Sequence, residues 1–210
     1  MGKDTTRDRI LAAASQEFAA RGYAKTTIRD ICTRADVNVA AVNYHFRDKQ
    51  NLFHEVLSEW LEVFIDKTGL MDIMKSTRSP AQKFRAYIRA ELSYMCQSND
   101  RTGFQLNQVR LILQELAAQD HNPNILNSHR NVEEKVLHPV IRELIGENAD
   151  AAILNDACMA ATSLTTHHFL RALDDSRFTL RTEEDLDSTA DFLTTFALGG
   201  LKAIKESYNA

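Results

Sequence analysis

Two adjacent histidines form the group of side chains in this 210-residue chain that comes nearest to a catalytic or metal-binding arrangement. His167 and His168 follow Thr165 and Thr166 in a segment with helical periodicity. Neighbouring residues on a helix point about 100° apart, so the two imidazoles cannot easily serve one metal ion or one proton path. The sequence has no H-E-x-x-H motif, no E-x-x-H pair and no glycine-rich phosphate loop. An all-helical enzyme stays a minor alternative, and no catalytic residue, metal or cofactor is predicted.

A second group of side chains is suited to nucleic acid. Residues 27–46 have the pattern of two short helices joined by a turn of three to four residues. This pattern can place one helix in a major groove about 12 Å wide. On a helical wheel of the second helix, Val39, Val42 and Phe46 point inward. The outward and flanking positions carry mostly short side chains, with one amide and one phenol: Ala40, Ala41, Asn43, Tyr44 and Arg47.

Capping signals predict where the helices that position these groups begin. In four places a Ser or Thr is followed three residues later by Asp or Gln, so that each side chain can satisfy a backbone N–H of the other residue. The four pairs are Thr5 with Asp8, Thr27 with Asp30, Ser79 with Gln82, and Thr182 with Asp185. No strand or hairpin signal of comparable clarity competes with them. The predicted fold class is therefore all-α.

Apolar periodicity extends this prediction along the chain. A three-helix unit is expected at 6–21, 28–35 and 39–46, with Gly22 ending the first helix and Asn38 capping the third. Asp48 is expected to cap a longer connecting helix. Further helices are expected near 80–98, 103–119, 124–145, 150–173 and 183–206. Pro139 should kink or split the helix that contains it, because it has no N–H and its ring displaces the preceding turn.

The charge of the chain is unevenly distributed. The net charge is −4. Residues 1–50 nevertheless carry nine Lys and Arg against six acids, whereas the remainder carries sixteen against twenty-three. Basic charge thus lies where a phosphate backbone could use it, although an excess of three over fifty residues also arises by chance.

Composition limits the class of protein. The chain is 44% hydrophobic and 26% charged, which is typical of a globular domain. No run approaches the roughly 20 apolar residues that cross a bilayer, and the N-terminus lacks the order of a signal peptide, so a cytoplasmic protein without membrane contact is expected. Cys32, Cys96 and Cys158 are odd in number and widely spaced. Three reduced thiols are therefore expected.

The helix-turn-helix segment resembles the N-terminal signature of TetR-family transcriptional regulators. The resemblance covers about residues 7–53 and rests on Thr26 to Ile31, Ala35 to Val37, Tyr44 to Lys49, and Leu52. The family more often has Ala at Cys32 and Gly at Asp36. Because Asp tolerates the left-handed conformation better than most residues, the turn is still expected to form. The resemblance implies a ligand-responsive repressor that binds a palindromic operator in double-stranded DNA as a homodimer.

The resemblance also implies roles for individual residues. Thr27, Tyr44 and Lys49 would contact phosphates, although capping alone also accounts for Thr27. Base reading would fall to Asn43 and Arg47, with close apolar approach by two alanines. Because so few side chains could read bases, part of the specificity for a DNA sequence is expected to come from DNA shape. The predicted DNA contacts are Thr27, Ala40, Ala41, Asn43, Tyr44, His45, Arg47 and Lys49.

Residues 1–50 are accordingly expected to form the DNA-binding domain, and 51–210 a helical domain for effector binding and dimerisation. Effector-pocket candidates, each of which could instead face solvent or bond within the core, are Asn107, Arg110, Gln114, Thr165 and His168. Small and large apolar residues of the last two predicted helices suit either a four-helix dimer bundle, as in the family, or an intramolecular core. These residues are Ala157, Ala160, Ala161, Leu164, Phe192, Phe196, Gly199 and Gly200.

Two further interpretations concern the second half of the chain. Residues 104–145 loosely resemble the C-terminal domain of the CecR-like subgroup, which would imply a regulator of transport or drug-tolerance genes. The small-molecule effector cannot be identified from the sequence. A helical adaptor that binds protein rather than DNA is the other alternative, and the acidic second half permits it. The retained set of Thr27, Tyr44, Arg47 and Lys49 argues against an adaptor.

Overall fold

Helices account for every regular element in the part of the chain that the computed structural model describes, namely residues 5–96, 111, 133–174, 180 and 182–208. The predicted all-α class is confirmed. The described helices are α1 (Thr6–Arg21), α2 (Ile28–Ala35), α3 (Val39–Phe46), α4 (Lys49–Thr68), α5 (Leu70–Lys75), α6 (Pro80–Cys96), a π-helical turn (Glu133–Leu137), α7 (His138–Ile145), α8 (Ala151–Asp174) and α9 (Glu183–Tyr208). The first three have the predicted bounds.

All four predicted capping pairs form. The Thr27 hydroxyl accepts a hydrogen bond from the backbone N–H of Asp30 at 3.1 Å, and the Asp30 carboxylate accepts one from the Thr27 N–H at 2.9 Å. Hydrogen bonds from Thr27 hold the pKa of Asp30 below its ordinary value. Because the pKa of Asp30 is lowered in the folded state, its hydrogen bonds with Thr27 stabilise the fold fully at pH values above the ordinary pKa of Asp. This stabilisation is lost as the pH falls through the lowered pKa.

Pro139 lies where the helix type changes. The π-helical turn ends at Leu137 and α7 begins at His138 with Pro139 in its first turn, while Leu137 keeps helical φ and ψ of −89° and −43°, so the helical backbone is not split there. A break at Gly69 is missing from the sequence prediction. Gly69 adopts a φ of 60° and separates α4 from α5. The helix predicted near 103–119 lies outside the described residues except for Leu111.

The chain divides into two packed units. The first comprises residues up to Val63 and 100–129, of which Leu111 alone is described beyond Val63. Its core joins α1, α2, α3 and the first part of α4, with Phe18 and Phe53 meeting edge to face at 5.0 Å between ring centroids. The indole N–H of Trp60 donates to the Ser15 hydroxyl at 2.7 Å in the same buried region. The core that supports the helix-turn-helix therefore continues well past residue 50.

The turn between α2 and α3 depends on Asp36, which adopts the left-handed conformation with φ 53° and ψ 54°. The N–H of Val37 donates back to the carbonyl of Cys32 at 3.1 Å. Arg9 of α1 donates to the carbonyl oxygens of Ala35 and Asp36 at the end of α2. Because the last carbonyls of a helix have no partner within it, Arg9 supplies the missing donors and ties the turn to α1.

The second unit contains the end of α4 and helices α5 to α9. Its buried side chains include Phe84, Ile88 and Leu92 on one face of α6, and Val140 and Ile141 of α7. None of the described helices combines the length and the apolar character that crossing a bilayer requires.

We expect Asp36→Gly to stabilise the first unit by about 0.5–1 kcal/mol, because glycine adopts positive φ without the steric cost of a Cβ. Urea unfolding followed by fluorescence of Trp60, the single tryptophan, measures the change. Asp36→Ala is the matched control, since it keeps the Cβ and removes the carboxylate. A lower unfolding midpoint for Asp36→Gly than for Asp36→Ala would contradict this account of the turn.

Candidate nucleic-acid interface

Half of the eight predicted DNA contacts are exposed on α3 or directly after it. Ala40, Asn43, Tyr44 and Arg47 are exposed, and 84% of Tyr44 is accessible. Ala41 is half-buried and packs against the core of the first unit. The structure thus brings the amide, the phenol and one cation onto one short surface, backed by the buried Val42 and Phe46 of the same helix.

The prediction that Val39 points inward is wrong, because 42% of this residue is exposed. The wheel places Val39 inward because it lies three residues before Val42, whereas in the structure it is Val37 and Ala41 that pack against the core of the first unit. Val39 therefore adds an apolar branched side chain to the exposed surface, next to Ala40.

Thr27 is exposed, and its hydroxyl is fully engaged in capping α2. The hydroxyl donates to the Asp30 carboxylate at 2.7 Å while it accepts from the Asp30 N–H. A hydroxyl has one hydrogen to donate, so a bond to a phosphate would require the Thr27 hydroxyl to turn away from Asp30. The capping role is present in the structure, and the phosphate contact stays a prediction.

Lys49 lies at the first position of α4 and is held against the core. Its ammonium is 4.1 Å from the centroid of the Tyr23 ring, and that ring is 4.7 Å from Phe53. A cation above an aromatic face is attracted by the negative face of the ring. Lys49 is therefore a half-buried, oriented positive charge rather than a freely moving surface lysine.

Arg47 joins α3 to α4 in an uncommon conformation, with φ 70° and ψ −56°. The N–H of Asp48 donates to the carbonyl of Phe46 at 2.9 Å, which makes Arg47 the centre of a γ-turn with positive φ. This strained link lets Asp48 cap α4 immediately, through a 2.7 Å bond from the N–H of Asn51. His45 is half-buried, 5.0 Å from Tyr44 between ring centroids.

Sequence reasoning missed the buried carboxylate that braces α1 against α2. Only 6% of Glu17 is exposed, and its carboxylate accepts from Arg34 Nε at 2.6 Å and from Arg21 Nη1 at 3.4 Å. The bond between Glu17 and Arg34 joins residues seventeen positions apart in different helices. The periodicity of apolar residues within one helix does not indicate a charged contact between two helices. The positive φ at Arg47 also has no sequence signal, because arginine is not enriched in positive-φ conformations as Asp and Asn are.

The effector-pocket candidates are only partly described. Asn107, Arg110 and Gln114 lie outside the described residues. Thr165 is completely buried, and its hydroxyl lies 2.6 Å from Oε2 of Glu91, whose Oε1 accepts from the Tyr87 hydroxyl at 2.7 Å. Sequence reasoning missed Glu91, although Tyr87 and Glu91 are spaced i, i+4 on the same apolar face of α6 as Ile88.

His168, the other described candidate, is half-buried on α8. In the part of the chain that the structure describes, no three His, Cys, Asp or Glu side chains are grouped so as to hold a metal ion. Cys32 and Cys158 are buried and form no disulfide among the described residues, and burial raises the pKa of Cys32.

The predicted dimer-forming residues differ in their exposure. Ala157 and Ala161 are buried within the second unit, as the intramolecular alternative predicts, and Leu164 is half-buried. The residues of the same set that are exposed on α8 and α9 are Ala160, Phe192, Phe196, Gly199 and Gly200. Phe192 and Phe196 are 71% and 67% exposed, which is unusual for phenylalanine.

Comparison with known proteins agrees with a helix-turn-helix in the first unit. Residues 10–56 match the family of bacterial regulatory proteins of the tetR type. The chain is 29% identical over 109 residues to the probable HTH-type transcriptional regulator YttP of Bacillus subtilis, covering 52% of this chain and 53% of YttP. It is 31% identical over 84 residues to the HTH-type transcriptional repressor KstR2 of Mycolicibacterium smegmatis, covering 40% of each. These matches thus span about half or less of the curated relatives, which are named as regulators and not as enzymes.

A solved structure extends the likeness to nearly the whole chain at the level of fold. The transcriptional regulator FadR of Bacillus subtilis, in complex with stearoyl-CoA, superposes with a TM-score of 0.64 and 17% identity, covering 91% of this chain and 97% of FadR. The chain is thus similar in fold to this regulator, and in sequence its residues 10–56, from α1 into α4, match the tetR family of bacterial regulatory proteins.

Proposed function

We propose that this protein is a transcriptional regulator that binds a specific sequence in double-stranded DNA through α3. The observation that carries the proposal is the exposed face of α3, where an amide and apolar side chains can meet base edges beside Tyr44 and Arg47. An Asn amide pairs well with adenine, and apolar groups suit the thymine methyl. Lys49, oriented by Tyr23, supplies a positive charge at the start of α4, where the backbone N–H groups also favour phosphate.

The exposed face of α8 and α9 supports a homodimer. Of the eight large apolar side chains that are exposed in the described part of the chain, five lie on these two helices: Met159, Leu170, Phe192, Phe196 and Tyr208. Phe192 and Phe196 are spaced i, i+4, and Gly199 and Gly200 continue α9 with open space where a Cβ on either glycine would lie. Aromatic side chains next to glycines permit close packing of helices. A second copy of this chain would cover the face and place two α3 helices on one operator.

We further propose that a small-molecule effector releases the protein from a palindromic operator, so that the protein acts as a repressor. The buried Tyr87, Glu91 and Thr165 would form part of the polar lining between α6 and α8. The CecR-like subgroup, and with it a role in transport or drug tolerance, stays a hypothesis because residues 104–132 that carry most of it lie outside the described residues, apart from Leu111. A cytoplasmic location is also part of this proposal.

Selection of bound sites from random duplex DNA at near-physiological salt tests the function directly. We expect enrichment of a palindrome whose half-sites are about one or more helical turns apart, because two copies of α3 would read them. A protein with Tyr44, Arg47 and Lys49 all replaced by Ala is the control. Absence of any enriched motif with the wild-type protein would favour the adaptor instead.

Asn43→Ala should reduce discrimination at one base step by about 1–3 kcal/mol, because it removes an amide that can bond a base edge. Competition binding with operator variants measures this. Thr33→Ala is a suitable control, since Thr33 is also exposed but lies on α2. Equal loss of affinity for every DNA sequence would show that Asn43 does not read a base.

Lys49→Ala should weaken binding to all sequences alike and lower the salt dependence of binding by roughly two, because a dimer would lose two phosphate contacts. The measurement is the slope of the logarithm of affinity against the logarithm of salt concentration. Lys75→Ala removes the same charge from α5 and should leave the slope unchanged. A change in base preference with an unaltered slope would refute a phosphate role.

Phe196→Asp should convert the dimer to a monomer, because it puts a charge in the centre of the proposed apolar interface. Sedimentation equilibrium measures the mass, and operator affinity should fall by about a hundredfold or more. Val63→Asp, which changes another exposed apolar side chain, on α4, is the control. Dimers that persist in Phe196→Asp would contradict the proposed interface.

A further inference from the structure

A cleft of about 510 Å³ opens in the second unit, between the end of α4, α5 and α6. Four cationic side chains line it, namely Lys67, Arg78, Arg85 and Arg89, and no carboxylate is among the described residues of its lining. Residues 51–210 are acidic as a whole, so this grouping of cations runs against the charge of its surroundings. A concave site lined by charges of one sign concentrates the field and attracts ions of the opposite sign.

Two of the four cations form ion pairs with three acids of α9. Arg85 donates through Nε to Asp191 and through Nη2 to Asp187 at 3.1 Å. Arg89 donates through Nε to Asp187 at 2.8 Å and through Nη2 to Glu183. In the described part of the chain, the Nη1 group of each arginine has no hydrogen-bond acceptor. Each guanidinium therefore keeps donors that a ligand could use while its bonds to α9 stay in place.

Lys67 and Arg78 lie at the same cleft and, among the described residues, form no ion pair. Both side chains are exposed. The three acids of α9 outweigh the two arginines that they contact, so the remaining attraction for an anion comes from Lys67 and Arg78. The affinity of the cleft for an anion should depend on these two residues most strongly.

The size and lining of the cleft indicate an organic anion. A volume near 510 Å³ is within the range of small-molecule sites and is far larger than an inorganic ion needs. Ile73, Ala86 and Ala90 provide an apolar wall, and Gln82 and Ser93 add polar groups. Such a lining suits a charged head attached to a short apolar body.

We propose that this cleft binds a small organic anion, with a carboxylate or phosphate head held by Lys67 and Arg78 beside Arg85 and Arg89, and an apolar body against Ile73 and Ala86. The site is separate from the effector-pocket residues considered above. It goes beyond the proposed function, because its occupancy requires neither DNA nor a dimer.

Binding of fluorinated probes followed by ¹⁹F NMR line broadening tests the site in the full-length protein without DNA. The probes are 4-fluorobenzoate, 4-fluorophenyl phosphate and the neutral 4-fluorobenzamide. We expect the two anions to bind and the amide to bind at least about tenfold more weakly, since the lost charge-assisted bonds correspond to that factor or more. The stronger of the two anions identifies the head group. Equal binding of the amide would overturn the proposal.

Variants locate the bound anion. Lys67→Gln and Arg78→Gln should each weaken it by about tenfold, whereas Lys75→Gln, which removes a charge outside the cleft lining, should not. Asp191→Asn should tighten binding severalfold, because it removes one of the two negative charges that contact Arg85. Unchanged affinity in the first two variants, or weaker binding in Asp191→Asn, would overturn the assignment. Circular dichroism verifies that the exposed substitutions leave the helices intact.

Discussion

The left-handed turn at Asp36 is the constraint on which the orientation of α3 depends. Arg9 holds the carbonyls of Ala35 and Asp36, and so the end of α2 is attached to α1 rather than left to solvent. Once α2 ends there, Asn38 can cap α3 through the N–H of Ala41 at 2.9 Å. Each of these contacts satisfies backbone groups that a short helix cannot satisfy alone. A surface built on eight-residue helices is therefore oriented by its caps as much as by its apolar core.

Buried carboxylates connect helices in both units. Glu17 joins α1 to α2 through Arg34, and Glu91 lies between the hydroxyls of Tyr87 and Thr165 on α6 and α8. Removing a carboxylate from water is costly unless its oxygens accept hydrogen bonds, so each one restricts how its helices can pack. These contacts give a directional constraint that apolar packing lacks. They also show how a helical unit can hold polar groups in its interior, which a ligand-responsive regulator would need.

Exposed apolar side chains lie on both of the surfaces that are proposed to meet partners. On α3, Val39 and Tyr44 stand beside short side chains, whereas on α9 Phe192 and Phe196 stand beside glycines. The apolar surface on α3 is small and mixed with polar groups, which suits base recognition. The apolar surface on α9 is aromatic, which suits association between proteins. The charged bonds of Arg85 and Arg89 to α9 hold α6 and α9 together beside that surface.

Local signals in the sequence determined the all-α class, the bounds of α1 to α3 and the four capping pairs, because capping acts within a few residues. They also determined that Ala40, Asn43 and Tyr44 of α3 face outward. Tertiary packing alone decided that Val39 is exposed while Val37 and Ala41 pack against the core. It likewise decided the positions of Glu17, Glu91 and the cleft beside Arg85, since these depend on residues far apart in the chain. Periodicity within one helix carries no information about such contacts.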